Sequence, residues 1–248
     1  KLGLEFYLNF VSQGVAKVID QTGAQIFLDL KLHDIPHTVA GAAKAIAKLE
    51  PMFLTVHASG GAAMVKAAAD AVPNVAVTAV TILTSISEEE LFEIGYASPA
   101  LESAVALAKL AVGAGAKAIV CSPLETKAIR SAIGKETIII TPGLRPLSEM
   151  GGDDQVRTMT PSDAIAAGAN YVVIGRPITR AWADGASAMT AKARLIADEI
   201  FSKTNRFHLI LFISISAGDI SYDTTFKNCH CDRRRFWHWQ SHSHGAVA

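Results

Sequence analysis

Three cysteines in 248 residues, at positions 121, 229 and 231, are too few for a disulfide framework. Nothing in the chain therefore requires an oxidising compartment, and a reducing cytoplasm is the expected location. Net charge is missing too, with 23 Lys+Arg against 23 Asp+Glu. General attraction to nucleic acid or to an anionic membrane is excluded, and any anionic ligand must be held by a local site. The longest apolar stretch, around 209–213, is far shorter than the roughly 20 residues a bilayer span needs. No charged leader followed by an apolar run opens the chain, and its first residue is Lys1 rather than Met, as in a processed or incomplete start. The Asn-Gly signal of tight antiparallel hairpins is absent, as is the Gly-x-Gly-x-x-Gly turn of dinucleotide-binding sheets.

What is present is half hydrophobic and 19% charged, the balance of a compact soluble α/β protein. Composition changes near residue 203. Residues 1–202 hold 38 alanines and all nine prolines, whereas the last 46 residues hold three alanines, no proline, five of the eight histidines and two of the three tryptophans. Two units are therefore expected, 1–202 and an atypical tail over 203–248. The tail's Cys229, His230, Cys231 and the arginines 233–235 suggest metal or nucleic acid, but the spacing fits no zinc pattern, and a low-information extension is the better reading.

Within 1–202, short apolar β-branched runs alternate with alanine-rich stretches of helical period, which predicts βαβ units and a parallel sheet. Strands are expected at 2–4, 25–30, 53–57, 75–82, 118–121, 137–141 and 171–174, with helices at 38–49, 61–71, 103–113, 123–133, 161–167 and 186–201. Seven strands are one short of a (β/α)8 barrel, and the missing unit would precede Lys1. Residues 207–216 form an apolar run after the last helix, from which a parallel strand could enter the gap beside Lys1, and Asp219 could then stand in for a lost acid. Polar residues fall at the strand ends where such a barrel carries its site: Asp29 and Lys31, His57, Thr84 and Ser85, Arg145, and Arg176. A doubly wound open sheet is the alternative.

The segment from Gln25 to Thr38 carries the most chemistry. Asp29 and Lys31 are two apart on a strand and so share a face, and Asp34 follows just past its end. An ammonium between two carboxylates keeps its proton, and such an array can face a developing carbanion with fixed positive charge and a proton. A structural ion-pair network is the bland alternative, but the apolar neighbours Ile26, Leu28 and Leu30 make these charges exceptions in a buried strand. Gly175-Arg176 after the last expected strand offers backbone N–H groups and a guanidinium to an anion. Arg145 follows Pro142-Gly143, and Gln155 lies in a loop over 146–157 whose Gly151-Gly152 pair permits hinge motion. Thr84 and Ser85 alone read as a weak signal, since such residues commonly cap helices. His57 reads as a pocket-floor histidine, His33 and His37 as packing or loop residues, Cys121 as a core thiol, and Glu88–Glu90 as the first turn of a helix.

The run Asp29-Leu-Lys-Leu-His-Asp-Ile-Pro-His-Thr38 resembles the signature of the orotidine 5′-phosphate decarboxylase family. The likeness extends through Lys1-Leu-Gly3, Val56-His-Ala-Ser-Gly-Gly61, Leu83-Thr-Ser85, Thr141-Pro-Gly-Leu-Arg145, Gly151-Gly-Asp-Asp-Gln155 and Ile174-Gly-Arg-Pro-Ile178. That resemblance implies a TIM barrel and decarboxylation of orotidine 5′-monophosphate to uridine 5′-monophosphate without a cofactor or metal. It implies Lys31 as proton donor with Lys1, Asp29 and Asp34 as charge partners. It assigns Thr38, Thr84, Ser85, Pro142, Arg145, Gln155, Gly175 and Arg176 to substrate binding. It also implies a homodimer in which Asp34 and Thr38 reach into the partner's site. The family's first strand, with an aspartate near the ribose, has no counterpart in the sequence. Two rivals stand beside this reading. One is a magnesium-dependent sugar-phosphate decarboxylase or aldolase of the same superfamily, although Lys1 occupies the place of its metal-binding glutamate. The other is a non-catalytic, nucleotide-binding incomplete barrel.

Overall fold

A computed structural model of the chain describes residues 1–145, 159–201, 208–211, 229–232 and 236–239. In chain order the elements are β1 (Leu2–Gly3), α1 (Leu4–Thr22), β2 (Phe27–Leu32), α2 (Pro36–Ala47), β3 (Phe53–His57), a 3-10 turn (Ala58–Gly60), α3 (Gly61–Ala71) and β4 (Ala76–Val80). There follow α4 (Glu88–Glu93), α5 (Ala100–Gly113), β5 (Ala118–Val120), α6 (Thr126–Ile133), β6 (Ile138–Thr141), α7 (Pro161–Ala166) and β7 (Tyr171–Ile174). After these come α8 (Arg176–Thr179), a second 3-10 turn (Arg180–Asp184), α9 (Ala186–Phe201), β8 (His208–Leu211), β9 (Cys229–Asp232) and β10 (Phe236–Trp239). No helix among the described residues is long and apolar enough to cross a membrane.

Strands β1 to β8 form one sheet in sequential order, and all its ladders are parallel. Sequential order leaves no reversal point, which excludes the doubly wound alternative and is the order of a (β/α) barrel. Side-chain alternation divides the sheet into two faces. Leu28, Leu54, Val77, Ile119 and Ile139 are buried in one core together with helix residues such as Val39, Val65, Ala108 and Ile129. The opposite face carries Phe27, Phe53, Ala118, Ile140 and Val173. At its base, Phe53 packs edge-on against Phe27 and Tyr171, with ring centroids 5.5 and 5.4 Å apart. These rings fill the N-terminal end of the strands, so the polar residues of the same face stand at the C-terminal end.

The structure adds a helix where the sequence reading placed the end of a strand. Only Leu2 and Gly3 pair with β2, and α1 begins at Leu4. Its buried Phe6 and Val15 face the core, but Gly14 and the β-branched Val11, Val15, Val18 and Ile19 weaken the helical pattern. The helix is interrupted at Val11, where φ is 45°. Strand β8 pairs with β7 from Tyr171↔His208 to Ile174↔Leu211. It is four residues within the expected 207–216 and stands at the opposite end of the strand order from β1, with no ladder joining the two among the described residues. The tail also contains an antiparallel pair, β9 with β10, which the reading of a low-information extension did not foresee. Asp219 lies outside the described residues.

One arginine fastens the later units together. The Arg130 guanidinium, on α6, donates to the carbonyls of Gly134 (2.6 Å), Thr137 (2.8 Å) and Gly168 (2.9 and 3.1 Å), and to Asn170 Oδ1 (2.5 Å). Asn170 Oδ1 also accepts the N–H of Ile139, on β6 (2.8 Å). Gly168 has φ +113°, and a Cβ there would stand 2.9 Å from Arg130 Cγ, so both the backbone and the arginine demand glycine. Replacing Arg130 by Ala strands these acceptors and is expected to cost about 2–3 kcal/mol, read as a lower urea midpoint at unchanged slope.

Candidate active site

The site grows from a local irregularity between β2 and β3. Leu28 pairs with Leu54, but Leu32 pairs with Val56, so four steps along β2 oppose two along β3. The surplus residues form a bulge, and within it Lys31 takes a left-handed φ of 51°. A lysine in that region is strained, and it persists only where its surroundings hold it. Here Thr55, on β3, supplies the hold: its hydroxyl accepts the N–H of Lys31 at 2.8 Å and donates to Asp29 Oδ1 at 2.9 Å. Thr55 is fully buried, so its bond to Asp29 is shielded from water.

Asp29 is the centre of the cluster. Its carboxylate is buried and accepts the Lys31 ammonium at 2.9 Å on Oδ1 and 2.8 Å on Oδ2. The Lys1 ammonium donates to Oδ2 from the other side, and its Nζ lies 5.8 Å from the centre of the Phe27 ring. The sequence suggests an ammonium between two carboxylates; within this chain the arrangement is the reverse, one carboxylate between two ammoniums. Burial alone would raise the Asp29 pKa, but Lys1 and Lys31 outweigh it and hold the carboxyl below its ordinary range. Lys1 is lowered to about 8, because burial penalises its charge more than Asp29 restores it, and Lys31 adds a like charge. Lys31 is the outer ammonium, with its side chain 38% exposed against 8% for Lys1. A ligand at the mouth of the barrel therefore meets Lys31 first.

Asp34 does not join this cluster within the chain. It is exposed, and its Oδ1 accepts the N–H of Ile35 at 2.6 Å just before α2. Thr38, in the first turn of α2, is exposed as well. Thr84 and Ser85 sit in an exposed turn after β4, just before the Ser87 capping box that opens α4 with Glu88, Glu89 and Glu90. Pro142 and Arg145 follow β6, with Gly143 at φ 78° and the Arg145 N–H donating to Met159 O at 3.2 Å. Gly175 caps α8, and the exposed Arg176 is its first residue. Gln155 lies outside the described residues. Asp34, Thr38, Thr84, Ser85, Pro142, Arg145, Gly175 and Arg176 follow the C-terminal ends of parallel strands, and Lys31 and His57 lie at the ends of β2 and β3, so the topology brings Lys31, His57, Thr84, Ser85, Arg145 and Arg176 to one rim.

Cys121 is buried and its thiol is pushed up to about 12 by burial and Glu125, which leaves it inert as the sequence suggests. Among the described residues no group of three or more His, Cys, Asp or Glu side chains is placed to hold a metal ion. The residue that sequence reasoning missed is Thr55. Its position two residues before His57 gave it the inward face of β3, but a threonine in a strand is ordinary, and only the bulge turns it into the hinge of the cluster.

Comparison with known proteins converges on one family. A sequence model of the "Orotidine 5'-phosphate decarboxylase / HUMPS family" matches residues 1–191. The chain is 51% identical over 195 residues to the orotidine 5'-phosphate decarboxylase of Thermobifida fusca, covering 79% of this chain and 83% of that protein. It is 48% identical over 198 residues to the enzyme of the same name from Anaeromyxobacter sp. strain K, covering 79% and 86%. Among solved structures, the orotidine 5'-phosphate decarboxylase of Lactobacillus acidophilus superposes with a TM-score of 0.69 at 39% identity, covering 80% of this chain and 85% of that one. The bulged strand with its Asp29–Lys31 pair, the sequential parallel sheet and these relatives agree: the chain belongs to the orotidine 5'-phosphate decarboxylase / HUMPS family.

Proposed function

We propose that this chain decarboxylates orotidine 5'-monophosphate to uridine 5'-monophosphate, the carboxy-lyase step of pyrimidine biosynthesis, with Lys31 as the proton donor. The observation that carries the assignment of Lys31 is its ammonium on the Asp29 carboxylate at the barrel mouth, backed by Lys1. In the reaction the bond from C6 to the carboxylate carbon breaks, its electron pair remains on C6, and carbon dioxide leaves. Lys31 faces that carbon with positive charge in place before the negative charge develops, then transfers a proton to it. Because Asp29, Thr55 and the bulge fix the ammonium beforehand, little reorganisation accompanies the step.

The other groups divide along the nucleotide. Arg145 and Arg176 provide charge and the backbone at Gly175 an N–H group for the phosphate, Pro142 shapes the turn that leads to Arg145, and Gln155 is assigned there from its place in the sequence. Thr84 and Ser85 have hydroxyls suited to the pyrimidine. Binding energy gathered at the phosphate can be spent on ordering the distant carbon. Residues 1–202 are the catalytic domain in this reading and 203–248 an added tail, and the enzyme works in the cytoplasm. The magnesium-dependent alternative is not favoured, since a second ammonium on the same carboxylate repels a divalent cation.

The working unit is a homodimer. Residues 33–38 are exposed side by side, Ile35 to 65%, directly beside the cluster. Asp34 and Thr38 then complete the partner's site rather than their own.

Carbon dioxide release from orotidine 5'-monophosphate is expected with the full chain and is unaffected by EDTA. Lys31→Ala lowers it by at least about a thousandfold; equal activity of the two proteins overturns the assignment of Lys31, and a strict magnesium requirement favours the rival. Mixing inactive Lys31→Ala with inactive Asp34→Ala subunits restores activity, because one site of each hybrid receives both native residues; no recovery after subunit exchange argues against a shared site. Since Lys1 loses its proton near pH 8, kcat/KM falls on the alkaline side of about that value. In Lys1→Arg the guanidinium stays charged, and this limb moves upward.

A further inference from the structure

Beyond Asp29 and Lys31, the same rim holds a pair of histidines to which the reaction as described gives no role. His57 is the last residue of β3, half-buried, on the same face as Thr55. His33 lies two residues after Lys31, and the two imidazole rings are 5.3 Å apart and tilted by 39°. His33 also rests on the turn after β3: a Cβ at Gly60 would come within 3.1 Å of its Cδ2. The pair therefore clasps the segment 31–38, which carries Lys31 at one end and Asp34 and Thr38 at the other, against the end of β3.

We propose that the His33–His57 contact is a positioning element of the Lys31 centre: with His57 uncharged it seats segment 31–38 on β3, and His57 on gaining a proton competes with Lys31 for Asp29. The proposal rests on Lys31 as proton donor. The charged and titratable groups that act on His57 are Asp29, Lys31 and His33, all from β2 and the residues after it. The neighbouring strand β4 and the turn Ala58–Gly60 contain no titratable side chain. Burial, then His33, then Lys31 disfavour a proton on His57, and Asp29 alone opposes them. At neutral pH the imidazole is thus neutral, and two protonated rings at this distance exclude one another.

Acidification should accordingly weaken the reaction below the ordinary imidazole value of 6.5, and the variants fix the sign of each contribution. In His33→Gln a like charge is removed, so the acid limb of kcat/KM moves up toward 6.5. In His57→Gln the limb disappears, while kcat at pH 7 falls by about tenfold or less and KM changes little. His33 is exposed, so its variant keeps the test open should His57→Gln fail to fold. A limb that stays in place in His33→Gln, or survives in a folded His57→Gln, overturns the proposal. The imidazole titrations of the full chain, followed by NMR, separate this outcome from failure of the donor assignment. The His57 midpoint rises in Lys31→Ala and falls in Asp29→Asn. A midpoint that ignores both substitutions overturns the proposal whatever the activity of Lys31→Ala.

Discussion

A single buried carboxylate organises the functional end of this protein. Asp29 accepts two ammoniums and one hydroxyl, and each donor comes from a different place: Lys1 before β1, Lys31 from the bulge of β2, Thr55 from β3. An unpaired carboxylate at this depth would take up a proton or draw in water. With its partners it stays ionised, and in return it fixes two flexible lysine side chains in a site that must meet an anionic substrate.

The fold makes this arrangement possible by separating two tasks along one face of the sheet. At the base, Phe27, Phe53 and Tyr171 supply close-packed aromatic area that anchors β2, β3 and β7. Two residues farther along β2 and β3 the same face turns polar, with Asp29 and Thr55, and two farther again it holds Lys31 and His57. The apolar layer stabilises the strands that the polar layers strain, which is how a lysine with φ of 51° can be maintained.

Much of this was legible from residue pattern. Alternation of β-branched runs with alanine-rich stretches identified strands β2 to β7 and most of the helices between them, because burial on both faces forces apolar strands and because helices on the outside need a small-residue stripe. Charges inside an otherwise apolar strand marked Asp29 and Lys31 for the same reason: such groups are kept only where something pairs them. Helix α1 was not legible, since glycine and β-branched residues concealed its period and packing on the core overrode propensity. Nor was the reversal of the ion cluster, because spacing along the chain places Asp34 close to Lys31 while the turn before α2 carries it out to the surface.

The sequence by itself determined the class of fold, the family and the chemical character of the site, since these depend on periodicity and on residue types held at short spacing. Only the tertiary structure decided which of those residues meet. The bulge that inserts surplus residues into β2, the hydroxyl of Thr55 that closes on it, the approach of Lys1 to Asp29 across 28 positions and the contact of His33 with His57 all depend on register between strands. Register is set by packing on both faces of the sheet at once, and no local stretch of sequence encodes it.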